Sequence, residues 1–158
     1  PVMLAAVGPL RRGEICALTM DDIDGNVIHV CKDMVLDSNR EWVVKPPKTF
    51  SSDRYVTMPD RVIKQIEKQG YVTNYDPNGL SYAFSTLLKN NGIKHFRFHD
   101  LRHFCCSYLH GMNVPDVYIM QRSGHSTNST LRNVYTHTLQ DQNAEETKRI
   151  LKQFSAII

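Results

Sequence analysis

The chain has 158 residues, enough for one domain with its own core, and 41% hydrophobic against 22% charged residues excludes a disordered polymer. Nineteen Lys and Arg against sixteen Asp and Glu leave a net +3, a mild basic excess that admits a nucleic-acid partner without requiring one. No apolar run reaches the ~20 residues of a bilayer span, and no signal peptide opens the sequence.

In chain order, "PVMLAAVGPLRRGE" starts inside an apolar run without an initiator Met, as expected for part of a longer protein. The first helix signal is Glu14 to Met20, with Ile15 and Leu18 on one face, and "DDIDGN" then makes a turn on Gly25 and Asn26. Three short β-branched runs follow, 27–32, 41–45 and 54–58, and they predict one small antiparallel sheet. Pro59-Asp60 opens a helix through Gln69 with Val62, Ile63 and Ile66 inward, stopped by Gly70. The remainder is helical: "NGLSYAFSTLLKNNG" stopped at Gly92, His99 to His110 followed by Gly111, Pro115 to Arg122, and a short helix from Ser129 to His137. Asp141 caps a last helix carrying an apolar stripe of Ile150, Leu151, Phe154, Ile157 and Ile158. The expected fold class is α+β, mainly α with a small antiparallel sheet near the N-terminus. Cys16, Cys31, Cys105 and Cys106 form no CxxC pair and read as reduced, buried thiols of a cytoplasmic protein.

The chemistry concentrates in "FRFHDLRHFCCSYLHG". His99 and His103 stand at i, i+4, the spacing of a metal-binding pair on a helix, but the Glu of H-E-x-x-H is missing and no third ligand is evident. "DIDGN" has Val27 where a calcium loop needs Gly, so it reads as an ordinary turn. No acidic cluster is available for a pair of Mg²⁺ ions, and no metal or cofactor is expected. An anion suits the residues better. Arg102 follows His99 by three, Arg is the side chain for bidentate phosphate contact, and His adds a hydrogen bond or moves a proton. Arg11 and Arg12 lie at a helix start, Lys48 in a loop between strands, His125 in a Gly-led turn and Tyr135 ten residues later. Taken singly, each of these is more often a structural or solvated residue.

As an ordered set they resemble the catalytic domain of the tyrosine recombinase (phage integrase) family over nearly the whole chain. "RRGE" supplies Arg11 and Glu14, "PPKTFSSDRYVTMP" the hairpin lysine Lys48 with Lys45 nearby, "HDLRH" His99 and Arg102, "SGH" His125 and "NVYTH" Tyr135. Met20 and Ser123 depart from the family's usual Trp and Leu, at positions expected to be packing sites.

The resemblance implies a tyrosine recombinase catalytic-domain fold over residues 1–158, a C-terminal domain whose N-terminal core-binding partner lies outside this chain. It implies cleavage and rejoining of double-stranded DNA without metal, through a 3′-phosphotyrosine, to integrate or excise a phage or conjugative transposon. Tyr135 would be the nucleophile; Arg11 and Arg102 would hold the phosphate; His99 would take the tyrosine proton; Lys48 would protonate the leaving 5′-oxygen; His125 would bond the phosphate. It further implies a homotetramer on DNA in the full-length protein, a monomer as the isolated domain with weak, salt-sensitive DNA binding, and residues 150–158 either docked on a neighbouring protomer or packed on their own domain. A type IB topoisomerase-like strand transferase, a silent DNA-binding module and a hydrolase built on His99 and His103 are the alternatives; the last lacks ligands.

Overall fold

A computed structural model describes residues 1–127. The helices expected at 129–137 and from Asp141 onward, the 150–158 stripe and Tyr135 lie outside the described residues.

Two short helices lead, α1 (Val2–Ala6) and α2 (Arg12–Ala17). The helix expected to reach Met20 stops earlier, because Asp22 accepts from the backbone N–H and hydroxyl of Thr19 at 2.7 and 2.9 Å and starts a separate 3₁₀ turn, Met20–Asp22. The Gly25-Asn26 turn joins β1 (Ile23–Asp24) to β2 (Val27–Val30), which pairs on its other edge with β5 (Arg54–Thr57), all antiparallel. The strand at 41–45 does not join them. It is β4 (Trp42–Lys45), paired with β3 (Asp33–Leu36) as a separate two-stranded hairpin, so the single expected sheet is two. Its turn is closed by Asp37, whose carboxylate accepts from the backbone N–H of Asn39 and Glu41, with Arg40 in the left-handed region.

The hairpin lies against α2 because residue 13 has no side chain: a Cβ there would stand 2.1 Å from Asp33 Oδ1 and 2.7 Å from the Met34 carbonyl. Glycine in "RRGE" therefore seats β3, the first strand of the hairpin whose second strand leads toward Lys48.

Four longer helices complete the described part. In α3 (Asp60–Gln69), Val62, Ile63 and Ile66 are buried and Gly70 ends the helix at φ +78°. Helix α4 (Pro77–Asn90) begins at Asp76, which caps the N–H groups of Asn78 and Gly79, and buries Leu80, Phe84 and Leu88. Helices α5 (Asp100–Gly111) and α6 (Asp116–Ser123) follow, with Asn113 (φ +58°) turning the chain between them. One core joins α1, α2, the three-stranded sheet, α3 and α4 through Leu4, Leu10, Ile15, Ile28, Val56, Ile63 and Phe84, while Cys106 and Ile119 form a smaller cluster between α5 and α6. Among the described residues no helix is long and apolar enough to cross a membrane. Cys16, Cys105 and Cys106 are buried and Cys31 half-buried; burial pushes the thiols of Cys16 and Cys105 up to about 11, so both stay protonated.

Candidate active site

Helix α6 ends at Gly124, which takes φ +71°, and the helix presents its last carbonyls to three arginines from distant parts of the chain. Arg54 Nε donates to the Arg122 carbonyl at 2.9 Å, Arg102 Nη1 to that of Ser123 at 2.6 Å, and Arg11 Nη2 to that of Gly124 at 2.9 Å. Carbonyls at a helix C-terminus lack intrahelical partners and carry the negative end of the macrodipole, so three cations suit them. A Cβ on Gly124 would approach Arg54 Nη1 to 2.9 Å, so glycine here serves both the turn and the clamp.

Charge does not balance inside this cluster. Glu14, 3% exposed, receives two bonds from Arg54 at 2.9 Å, one from the Arg11 guanidinium at 2.7 Å and one from the Arg11 backbone N–H at 2.6 Å. Burial alone would raise its pKa; bonds and charge from Arg54, then Arg11, outweigh that and hold it below the usual carboxylate value. One carboxylate thus faces three guanidiniums. Arg102 is 1% exposed and also donates to the Pro9 carbonyl; burial, then the charge of Arg11, lowers its pKa to about 10, so it stays a cation at neutral pH. The cluster keeps a positive surplus, and Arg11, one-third exposed, brings it to the surface.

His125 joins the cluster through Nε2, 2.9 Å from Arg102 Nη2. His99, at the start of α5, is exposed along one edge and stacks edge-on against His103 at 4.6 Å. Burial comes first in lowering both pKa values to about 4; next come His103, Arg102 and Arg11 for His99, and Arg102, Arg11, His103 and Arg54 for His125. Both rings are neutral at pH 7. Because both have a folded pKa depressed from 6.5, the folded chain binds fewer protons than the unfolded one between about 4 and 6.5. Stability is therefore full above 6.5 and falls as pH is lowered through that window. Urea midpoints between pH 7 and pH 5, above the carboxylate range, check this; a flat profile would contradict it.

Two clefts meet at His99: one of about 410 Å³ beside Arg11, Gly13, Asp33 and Trp42, the other of about 380 Å³ beside Ser81, His95 and Arg97. Lys48 is exposed on the segment leaving β4, close enough to Asp33 for its charge to counter the rise that burial and Glu14 impose on that carboxyl; Asp33 also feels Arg11. Lys45 is exposed on β4 opposite Asp33. The fold thus brings Arg11 and Arg102 to adjacent carbonyls at the end of α6, sets Arg102 in direct contact with His125, and puts His99 and Lys48 around them; Tyr135 lies outside the described residues. Arg97 is occupied with Asp100 at 2.9 Å on the surface, and Arg12 donates to Ser81 at 2.8 Å, so neither joins the clamp. Among the described residues no group of three or more His, Cys, Asp or Glu could hold a metal ion.

Sequence reasoning missed Arg54 and Ser123. Arg54 opens the predicted strand 54–58, yet it is 5% exposed and carries the bond to Glu14. Its signal was period-two alternation: Arg54 and Val56 point inward while Tyr55 and Thr57 point out. Ser123, expected to pack, bonds His125.

Known proteins share both sequence and shape with this chain. A tyrosine recombinase XerC-like protein of Caldanaerobacter subterraneus subsp. tengcongensis is 27% identical over 184 residues, covering 92% of this chain and 47% of its own. The transposase from transposon Tn916 of Enterococcus faecalis is 28% identical over 177 residues, covering 91% of this chain and 43% of its own. The chain therefore spans about half the length of the curated relatives it matches. Among solved structures, the Tn1549 transposon integrase in complex with circular intermediate DNA superposes with a TM-score of 0.75 at 21% identity, over 94% of this chain and 58% of that one. XerA recombinase gives 0.70 at 22% identity, over 93% and 55%. These neighbours share the fold, a helix-rich domain with a small antiparallel sheet near its start. Residues 2–142 match the sequence model of the phage integrase family, and the chain belongs to that family.

Proposed function

We propose that this chain is the catalytic domain of a site-specific DNA recombinase that cleaves and rejoins duplex DNA through a 3′-phosphotyrosine, without a metal, to integrate or excise a mobile element. The observation that carries it is the clamp: three guanidiniums against one carboxylate, with their surplus charge at a surface beside two neutral histidines. A phosphodiester is the anion such a fork-shaped donor set suits.

In the proposed reaction Tyr135 Oη attacks the scissile phosphorus, a P–O bond to tyrosine forms, and the bond to the 5′-oxygen breaks. Arg11 and Arg102 stabilise the non-bridging oxygens as charge builds on them, the role a metal would otherwise fill. His99, neutral at pH 7, has a lone pair free to receive the phenol proton, and the incoming phosphate raises its basicity. Lys48 protonates the leaving 5′-oxygen, and His125 bonds the phosphate. Rejoining runs the same steps backward, with bond energy held in the phosphotyrosine. The relatives' names support the mobile-element role: one is a transposon transposase, and one solved neighbour is a transposon integrase bound to DNA. In the full-length protein we place the reaction in a tetramer on DNA, with a preceding domain completing the grip on the duplex.

The test is incubation with a nicked duplex carrying the element's end sequence, in EDTA, followed by denaturing electrophoresis. A covalent protein–DNA adduct is expected from the full-length protein and not from Tyr135→Phe. Cleavage seen only with an added divalent metal would overturn the proposal, and binding without any adduct would favour a silent DNA-binding module.

A further inference from the structure

Ser123 is 0% exposed, yet its hydroxyl lies at the centre of a chain of polar contacts. It stands 2.6 Å from the Ile119 carbonyl and 2.7 Å from His125 Nδ1, while His125 Nε2 stands 2.9 Å from Arg102 Nη2. A guanidinium has no acceptor, so the last contact has one direction: Arg102 donates and Nε2 accepts. A neutral ring with a bare Nε2 carries its proton on Nδ1. That proton goes to Ser123 Oγ, and the hydroxyl proton goes on to the Ile119 carbonyl, the i−4 bond open to a helical serine. The whole row is then directed, Arg102 to His125 to Ser123 to Ile119.

We infer that Ser123 is a positioning residue for His125, holding the ring with Nε2 toward Arg102 and serving whichever tautomer the bound anion requires. When a phosphate oxygen accepts the hydrogen bond that Arg102 Nη2 gives to the ring, Nε2 loses its donor and faces an acceptor. Nε2 must then carry the proton and donate it. The ring gives one proton from Nδ1 to solvent and takes one at Nε2 from solvent, with no net change. Nδ1 becomes an acceptor, and the hydroxyl turns from Ile119 to donate to it. A hydroxyl can reverse in this way; a carbonyl or carboxylate there would fix one tautomer, and an apolar side chain would leave Nδ1 unpaired beside the core. The placement of Ser123 stands on the contacts alone, and only its use in strand transfer rests on the proposed function.

The test is nuclear magnetic resonance of the chain with ¹⁵N-labelled histidine, using His125→Gln to assign the signal, beside adduct assays of the full-length protein. Wild type is expected to show a His125 Nδ1–H protected from exchange and a bare Nε2. Ser123→Ala should lose that protected proton and form adduct about tenfold more slowly, the rate equivalent of one hydrogen bond, with DNA affinity unchanged. Ser123→Thr, which keeps the hydroxyl and adds volume, should retain the proton and most of the rate. A purely packing role predicts the reverse order, Thr worse than Ala. A wild-type His125 with a freely exchanging Nδ1, or with its proton on Nε2, overturns the inference whatever the variants do, as does Ser123→Ala with wild-type signal and rate. A protected proton in a protein that forms no adduct would instead count against the strand-transfer function alone.

Discussion

Changing Arg102 to Lys is expected to lower covalent adduct formation by about 10²–10³, the usual loss when one preorganised donor to a developing charge is removed. The positive charge survives the change; the fork does not. Arg102 spreads its guanidinium over the Pro9 carbonyl, the Ser123 carbonyl and His125 Nε2. A lysine ammonium is a compact point charge whose donors do not lie in that plane, so it satisfies some of these partners and leaves the ring of His125 without its donor. Stability should fall too, by about 1–3 kcal/mol for an unpaired buried acceptor. The rate effect is larger and separable from it: single-turnover adduct formation at saturating protein, below the unfolding midpoint, reads the chemistry alone. A rate within threefold of wild type would remove Arg102 from the phosphate.

The second large effect is on folding. Glu14→Gln should destabilise the chain by about 3–5 kcal/mol, because it leaves Arg54 buried without its counter-charge. Both side chains are 3% exposed, so water does not repair the loss, and Arg11 and Arg102 add repulsion that Glu14 otherwise offsets. At an m-value of about 2 kcal/mol per molar urea, the midpoint drops by roughly 2 M. The pH dependence identifies the cause. The folded pKa of Glu14 lies below 4.5, so its contribution is present above that value and is lost as pH falls through the folded pKa. The gap between wild type and variant should therefore be full at pH 6 and shrink with acid. A gap that stays constant below pH 4 would mean that packing, not charge, sets the penalty.

Much of the candidate site was legible in residue order, because the groups of the proposed reaction come as short local motifs. R-x-x-E puts the carboxylate on the N–H of its own arginine, and His99 and Arg102 open one helix together. What the order of residues hides is who meets whom across the fold. Arg54 lies 40 positions from Glu14, and nothing local marks that strand-opening arginine as the buried one except its phase with Val56. Strand β3 escaped notice because "DMVL" is half-buried on both faces and so lacks clean alternation, and without it β4 looked like a neighbour of β2 and β5. Ser123 was hidden by its small size: a serine before glycine gives no sign of whether its hydroxyl faces apolar side chains or a ring nitrogen. The helix of α3, by contrast, followed directly from three apolar positions on one face and a terminal glycine.

The three-arginine clamp also has a consequence for how the protein is made. Its donors sit at positions 11, 54 and 102, and their acceptors arrive 113, 68 and 21 residues later, on one tripeptide. Chains emerge from the ribosome N-terminus first, and the early elements are free to fold as they appear. Until residues 122–124 leave the exit tunnel, however, Arg11 and Arg54 can meet only at Glu14, and the three arginines share no common set of acceptors. A nascent chain that stops short of residue 122 thus lacks the assembled clamp, and the proposed nucleophile, at 135, comes later still.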